Sequence, residues 1–576
     1  MSTFDLYLNT LNSILWHNSV LFILMGTGML FTIWSGVCQY RALTHGIHVI
    51  RGVYDEPDDP GAINHFQALS AALSATVGLG NIGGVALAIS LGGPGAVFWM
   101  WVVGFLGMAI KLTEVTLSML YRNTDDPENP HGGPMWVASK ALRLRSPKLA
   151  GLGKGLGTLF CLTLLVSAIT GGNMFQAWNV GVVTESYFGI PSVATGIILA
   201  IIVGAVIIGG IKRIGGVAGR LVPIMLFLYL AAGIYVLVVN IDKIPGMFAL
   251  IFRAAFSPLE STGAFIGGTM GYAFLFGMKR ALFSNEAGQG SSPIAHSAAK
   301  TNEPVREGIV AGLEPFIDTI VVCTLTALVI LVTGTWNRSA EATLDTPAAV
   351  IATGDGQWSM ATTGTVPART GADWKTGDRV YVIVHADQNP QSGSDLSRLD
   401  GTITADDAGA LQISWDTIAS AVRPRLAGPG IFVSYVGATL TARAFDSVLP
   451  GLGKWLVTIA VWLFAISTLI SWSYYGEQGI VFLAGERAVL PYKIIFCSLT
   501  IVATWGFLKT DAQLDNLTGI GTGVMLFVNV PIMWLLGRQA MLAYKDYFAR
   551  LKSGRMGPEH IPPSIEDLIS GKDVEK

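Results

Sequence analysis

The run Ser74-Ala75-Thr76-Val77-Gly78-Leu79-Gly80-Asn81-Ile82-Gly83-Gly84 places hydroxyls, a carboxamide and closely spaced glycines inside an apolar stretch. Glycines there have two uses: they let helices pack closely, or they let a helix unwind where its backbone lines a cavity. The polar Thr76 and Asn81 beside them favour unwinding. An unwound segment exposes backbone carbonyls and a half-helix C-terminus, hard oxygen ligands for a small cation. The opposing half-helix N-terminus presents N–H groups and a positive dipole end to a carboxylate. Gly78 to Gly83 also fits G-x-G-x-x-G, but without a βαβ context that pattern carries no dinucleotide meaning.

A second interruption is expected at Gly267-Gly268-Thr269-Met270-Gly271-Tyr272-Ala273-Phe274-Leu275-Phe276-Gly277, leading into Met278-Lys279-Arg280 and Ser284-Asn285-Glu286-Ala287-Gly288-Gln289-Gly290. Breaks at matching places in two halves of a helical chain point to a solute site. Gln176, within Gly171 to Asn179, either reads a solute by hydrogen bonds or ties two helices together. Ser467 and Thr468 offer hydroxyls to a cation or bond back to their own helix. Trp472 lies four residues after Thr468 on the same face and can cap a small pocket. Lys111 and Glu114 are a helical turn apart and able to pair, and Arg280 with Glu286 could form a gating ion pair at a cytoplasmic helix end. Asp318 falls inside a span and needs a partner, functional or structural. Glu286, Ser291 and His296 have no oriented base–nucleophile spacing, so an enzyme is not expected.

The elements that position these residues are membrane spans. The 576-residue chain is 51% hydrophobic and only 13% charged, about half the charge of a soluble domain. Its net charge of −2 gives no reason to expect nucleic acid as a partner. Cys38, Cys161, Cys323 and Cys497 show no metal-ligand spacing and no disulfide framework, and no cofactor is expected. The N-terminus lacks a basic region and an A-x-A site, so no cleaved leader is expected. Apolar runs give about eleven spans, one from Ser19 to Gln39 and a ten-helix core. The core helices start near Phe66, Phe98, Leu156, Pro191, Leu221, Thr262, Glu307, Gly453, Tyr492 and Leu517. Lys and Arg crowd alternate connections, Lys140 to Lys154 and Lys212 to Arg220 among them, which puts the N-terminus outside and the C-terminus in the cytoplasm.

The resulting expectation is an all-α polytopic membrane protein with a small β-rich extracytoplasmic insertion. Its parts are 1–45, a preceding helix; 46–336, core helices one to seven; 337–429, the insertion; 430–545, core helices eight to ten; and 546–576, a cytoplasmic tail. The insertion is polar and carries strand-like alternation at Arg379 to Val384 and turn signals at Gly377-Asp378 and Asn389-Pro390. Trp358, Trp374, Ile413 and Trp415 could seed its core.

The strings 78–102 (GLGNIGGVALAISLGGPGAVFWMWV), 132–136 (GGPMW), 282–299 (LFSNEAGQGSSPIAHSAA), 314–328 (EPFIDTIVVCTLTAL) and 467–477 (STLISWSYYGE) resemble the alanine/glycine:cation symporter family. The resemblance covers both halves of the core. It implies a LeuT-type 5+5 inverted repeat preceded by one extra helix, and sodium-coupled (alternatively proton-coupled) uptake of a small neutral amino acid such as alanine or glycine. It also implies substrate contacts from Thr76, Gly78, Gly80, Asn81, Gln176, Phe274 and Trp472, and a sodium site from Ala75, Gly78, Ser467 and Thr468. Leu79, Gln289 and Trp136 depart from the family's threonine, leucine and tyrosine, and the insertion is longer than the family's usual connection. The alternative is a transporter-derived sensor or regulated channel, with the insertion as its ligand-binding module and a protein partner that the sequence does not name.

Overall fold

Among the described residues the apolar runs of the sequence form helices. The computed structural model describes residues 3–259, 263–265, 267, 270–344, 349–361, 366–370, 373–388, 394–406, 408–435, 437–506, 512–556 and 562–570. Gly268-Thr269 of the expected second break and the expected Asn389-Pro390 turn lie outside these residues.

The chain opens with α1 (Thr3–Leu15), α2 (Asn18–Trp34) and α3 (Cys38–Ile50). The first expected span stops early, at Trp34, because Gly36 and Val37 adopt left-handed backbone at φ 65° and 61°. Next comes α4 (His65–Thr76), started by a reciprocal cap. Asn64 Oδ1 accepts from the Gln67 N–H at 2.8 Å, and Gln67 Oε1 accepts from the Asn64 N–H at 3.2 Å. A wide turn at Gly80–Gly84 leads into α5 (Val85–Gly92), and the axis bends by 51° across the break. The long α6 (Gly95–Tyr121) returns through the middle of the molecule with most of its surface covered.

The first half continues with α7 (Pro134–Arg145), α8 (Ala150–Ile169), α9 (Phe175–Phe188), α10 (Ser192–Ile207), α11 (Gly210–Val239) and α12 (Ile244–Phe256). A wide turn at Thr170–Met174 joins α8 to α9. Then follow α13 (Met270–Asn285), α14 (Ser292–His296), α15 (Pro304–Ala311) and α16 (Thr324–Val332), the last two joined through a wide turn at Phe316–Cys323. After the insertion come α17 (Ala438–Asp446), α18 (Leu452–Ala484), α19 (Val489–Ala503), α20 (Ala512–Lys552) and α21 (Ile565–Ser570). Among the described residues, seven helices are long and apolar enough to cross a membrane, or eight with the bent pair as one span. Length and composition therefore count fewer spans than the eleven expected, because α10, α13 and α19 have 16, 16 and 15 residues.

The insertion is β-rich. Its strands are β1 (Ala342–Thr343), β2 (Val350–Gly354), β3 (Gln357–Met360), β4 (Arg379–His385), β5 (Leu396–Ala405), β6 (Leu411–Trp415), β7 (Ile418–Ala419), β8 (Arg425–Leu426) and β9 (Gly430–Val433). One antiparallel sheet runs β1-β9-β4-β5-β6 with β8 also paired to β4, and a smaller one runs β2-β3-β7. Trp374, Ile413 and Trp415 are buried in a core separate from that of the helices, with Trp358 packed against it. The last strand runs beyond the expected boundary at Pro429, to Val433.

Candidate functional site

The first break forms as its glycines suggest. Helix α4 ends at Thr76, Val77 is extended, and the Gly78 N–H donates to Asn81 Oδ1 at 2.8 Å. The last carbonyls of α4 are left without helical partners, and one of them, Ser74 O, accepts from Thr468 Oγ1 at 3.1 Å. Gly78 admits this hydroxyl closely, since a Cβ there would lie 3.1 Å from Thr468 Oγ1.

Over Met270 to Gly277, the helical part of the expected second break among the described residues, the chain does not break. From Met270 the chain is one helix to Asn285, and the interruption follows at Glu286 to Ser291. The glycines in α13 serve close packing instead: a Cβ on Gly277 would sit 2.3 Å from Ala96 O. The true break uses left-handed backbone at Glu286 (φ 55°), Gly288 (φ 84°) and Gly290 (φ 80°), and Pro293 then starts α14. Glu286 is consequently buried in the interior rather than at a helix end facing water, and no Arg280–Glu286 pair forms. Its carboxylate instead accepts from Ser291 Oγ at 2.5 Å.

Both breaks face one cavity of about 40 Å³. On this measure a water takes roughly 10–15 Å³, so the cavity admits only a few heavy atoms. Ala75, Thr76, Gly78, Leu79 and Gly80 line it from the first break; Phe283, Glu286 and Gln289 line it from the second. The remaining wall is Gly171 and Gln176, Thr468 and Trp472 of α18, and Thr518 and Thr522 of α20. Gly172 lets Trp472 come this close, because a Cβ there would stand 2.4 Å from the Trp472 Cβ. The cavity is rich in unused acceptors. Gln176 Nε2 donates to Gly171 O at 3.0 Å and Gln289 Nε2 to Leu282 O at 3.0 Å, yet the Oε1 of each is buried without a donor. A buried acceptor without a donor costs about 1–3 kcal/mol, which a bound ammonium or cation would relieve.

Of the residues expected at the site, Ala75, Thr76, Gly78, Gly80, Gln176, Thr468 and Trp472 come together here. The other three do not line the cavity. Phe274 stacks on Phe22 and meets Trp99 edge to face, with ring centroids at 5.1 and 5.0 Å, because the break is later in the chain; Phe283 takes the place in the wall. Asn81 turns away, its Nδ2 donating to Asp318 Oδ1 at 2.5 Å. Ser467 Oγ bonds back to Phe464 O at 2.8 Å, while its carbonyl accepts from Ser74 Oγ at 2.7 Å. Leu79, Gly171, Phe283, Glu286, Gln289, Thr518 and Thr522 were not expected in the wall.

Asp318 ties the two breaks together. Its carboxylate accepts from Asn81 beside the first break and from Ser284 before the second, at 2.9 and 3.0 Å from the latter, and from Thr319 at 2.8 Å. Lys111 and Glu114 approach to 3.8 Å, but the closer partner of Lys111 is Glu314 at 3.3 Å. Glu314 also meets His296, whose other ring nitrogen bonds Glu307. His296 thus faces away from the Ser291–Glu286 pair, and no base–nucleophile arrangement results.

A model of the sodium:alanine symporter family matches residues 1–364 and 428–561 of this sequence, leaving out most of the β-rich insertion. The sodium/alanine symporter AgcS of Methanococcus maripaludis is 35% identical over 528 residues, 92% of this chain and 94% of that protein. The sodium/proton-dependent alanine carrier protein of Bacillus sp. strain PS3 is 30% identical over 512 residues, 88% of this chain and 93% of that protein.

Proposed function

The chain belongs to the sodium:alanine symporter family, and from that premise we propose that it carries alanine or glycine into the cell together with sodium. As a member of that family it is an integral membrane protein and a cation-coupled amino acid symporter, not an enzyme. The choice of solute, the direction and the residues that hold each ligand are the proposal. The observation that carries it is the acceptor-rich cavity between two broken helices. Helices α4 and α13 both end at it, so two partial negative dipole ends, the Glu286 carboxylate and the free Gln176 and Gln289 oxygens surround the same small space. Such a field favours a sodium ion and an α-ammonium together.

In this reading the sodium ion takes the Ala75 and Gly78 carbonyls and the Thr468 hydroxyl, whose proton already points to Ser74 O. The amino acid lies beside it against Thr76, Gly80, Gln176, Phe283 and Trp472, its carboxylate toward the N–H groups that open the segment after the first break. At about 40 Å³ the cavity is closed too tightly to hold an ion and an amino acid at once, so loading requires its walls to move apart, and a small side chain requires the least movement. The breaks work as paired elements of a LeuT-type 5+5 repeat and rock the cavity between two sides, with the N-terminus and the insertion outside and the C-terminus in the cytoplasm. The test is uptake of labelled alanine into proteoliposomes: an imposed inward sodium gradient should drive accumulation, and equal uptake with and without the gradient would refute the proposal.

A further inference from the structure

Gln289 lines the cavity between the breaks with one oxygen unused. Its side chain is buried, and Nε2 donates to Leu282 O at 3.0 Å. That bond fixes which way round the carboxamide sits, since the flipped group would set oxygen against oxygen. Oε1 is therefore the atom left over, and no donor reaches it. The backbone holds it in place. Left-handed Gly288 and Gly290 flank Gln289, Asn529 Nδ2 of α20 donates to Gly288 O at 3.0 Å, and a Cβ on Gly290 would lie 3.2 Å from Asn529 Cγ.

The Gln289 segment is thus fastened to α20. Two turns before Asn529 on that helix stands Thr522, and one turn before that stands Thr518. Both threonines line the cavity, and their protons are already spent: Thr522 Oγ1 donates to Thr518 O at 2.9 Å and Thr518 Oγ1 to Leu514 O at 2.7 Å. The side of the cavity that α20 supplies therefore offers oxygens that accept. The ammonium of a bound amino acid does not use them, because the Glu286 carboxylate in the same wall makes the stronger, charge-assisted bond. Alanine has only a methyl group left to present to Gln289, and a methyl leaves Oε1 as it stands now, buried and unsatisfied. A solute that differs from alanine by one neutral donor on its side chain satisfies it.

We propose that Gln289 sets the side-chain preference of the cavity and that the preferred solute is a small hydroxy amino acid, serine before alanine, whose hydroxyl donates to Gln289 Oε1 beside Thr518 and Thr522. The inference rests on the amino-acid symport reading and narrows its solute. The hydroxyl adds a single heavy atom to alanine, so the walls part little further to admit it. Selectivity arises from the competing case. The serine hydroxyl already has its hydrogen bonds in water, so the new bond itself adds little; an apolar side chain of the same size is rejected because it leaves the buried acceptor unpaired.

The experiment is displacement of labelled alanine from the purified full chain in saturating sodium, with L-serine and L-2-aminobutyrate as competitors. The two have the same number of heavy atoms and differ only in a hydroxyl against a methyl. In the native protein serine should bind about tenfold or more tighter than 2-aminobutyrate, and tighter than alanine itself. In Gln289→Met, which keeps the length of the side chain and removes the oxygen, the ratio of serine to 2-aminobutyrate affinity should fall to about one. If 2-aminobutyrate displaces alanine from the native protein as well as serine does, the assignment is overturned while the transport reading stands. A serine preference that persists in Gln289→Met overturns it too, and places the discriminating group elsewhere in the wall. If neither labelled alanine nor labelled serine binds the native protein, the transport reading itself falls. Should Gln289→Met fail to fold, the native ratio alone still decides, since it needs no variant.

Discussion

Removing the Asp318 carboxylate should uncouple the two breaks before it unfolds the chain. In Asp318→Ala three buried donors lose their acceptor: Asn81 Nδ2, Ser284 Oγ and Thr319 Oγ1. Each orphaned group costs roughly 1–3 kcal/mol, a gross loss of about 3–9 kcal/mol. Part is recovered locally, because Asn81 Nδ2 keeps the backbone carbonyl of residue 318 at 3.2 Å, and Asn81 Nδ2 and Ser284 Oγ also lie 3.3 and 3.6 Å from Cys323 Sγ. A net loss of roughly 3 kcal/mol follows, since Asp318→Ala removes the charge itself and leaves only neutral donors behind. Asp318→Asn keeps the shape but turns one acceptor into a donor facing other donors, so it should cost less than alanine and more than Thr319→Val. A large helical membrane protein need not unfold in two states, so the readouts are the melting temperature in detergent and sodium-driven alanine uptake. The melting temperature should fall in the order alanine, asparagine, valine. Uptake should fall at least about tenfold in Asp318→Ala, since Asn81 would no longer hold the Gly78 backbone in register and small misplacements at a site are costly. An Asp318→Ala protein that melts and transports like the native one would refute the reasoning.

Two further outcomes follow from the cavity wall. Thr468→Ala should raise the sodium concentration needed for half-maximal uptake more than it changes selectivity among amino acids, because it removes one hard oxygen; an unchanged sodium activation curve removes Thr468 from the ligand set. Phe283→Ala and Gln176→Ala should raise the apparent KM for alanine several-fold, while Phe274→Ala, whose ring packs on Phe22 and Trp99, should leave KM within about twofold. A KM effect confined to Phe274 would restore the earlier placement of the break.

The first break was legible because glycines, a threonine and an asparagine interrupt a membrane-length apolar run, and nothing in a soluble context explains that pattern. The second was misplaced by about one helical segment. Glycine density alone does not distinguish a helix that unwinds from one that packs tightly: Gly277 sits against the Ala96 carbonyl within a continuous helix, while Gly288 and Gly290 supply left-handed backbone. The later signal was present in Gly288-Gln289-Gly290 followed closely by Pro293, a stop and a restart in one string. Phe274, assigned by its distance from the wrong break, moved with that error. Asn81 and Ser467 were recognised as polar residues at the right depth, but which way a side chain turns depends on Asp318 and on the residue's own helix, partners that periodicity does not reveal. Thr518 and Thr522 reach the cavity from a helix more than forty residues away in sequence from Trp472, a contact set only by how α20 packs on α8 and the turn after it. The insertion was readable from its alternating β4 and its tryptophans, and its end was missed because β9 pairs with β1 and β4 across the whole insertion.

The central claim is that one cavity between two broken helices holds sodium and amino acid together, so that each strengthens the binding of the other. The direct measurement is the alanine affinity of the purified protein across a sodium series at constant ionic strength. Linkage requires the coupling to be reciprocal, and contact between the two ligands in one small cavity predicts a tightening of about fivefold or more. Sodium affinity should tighten by the same factor when alanine is added. An alanine affinity indifferent to sodium would contradict the shared site.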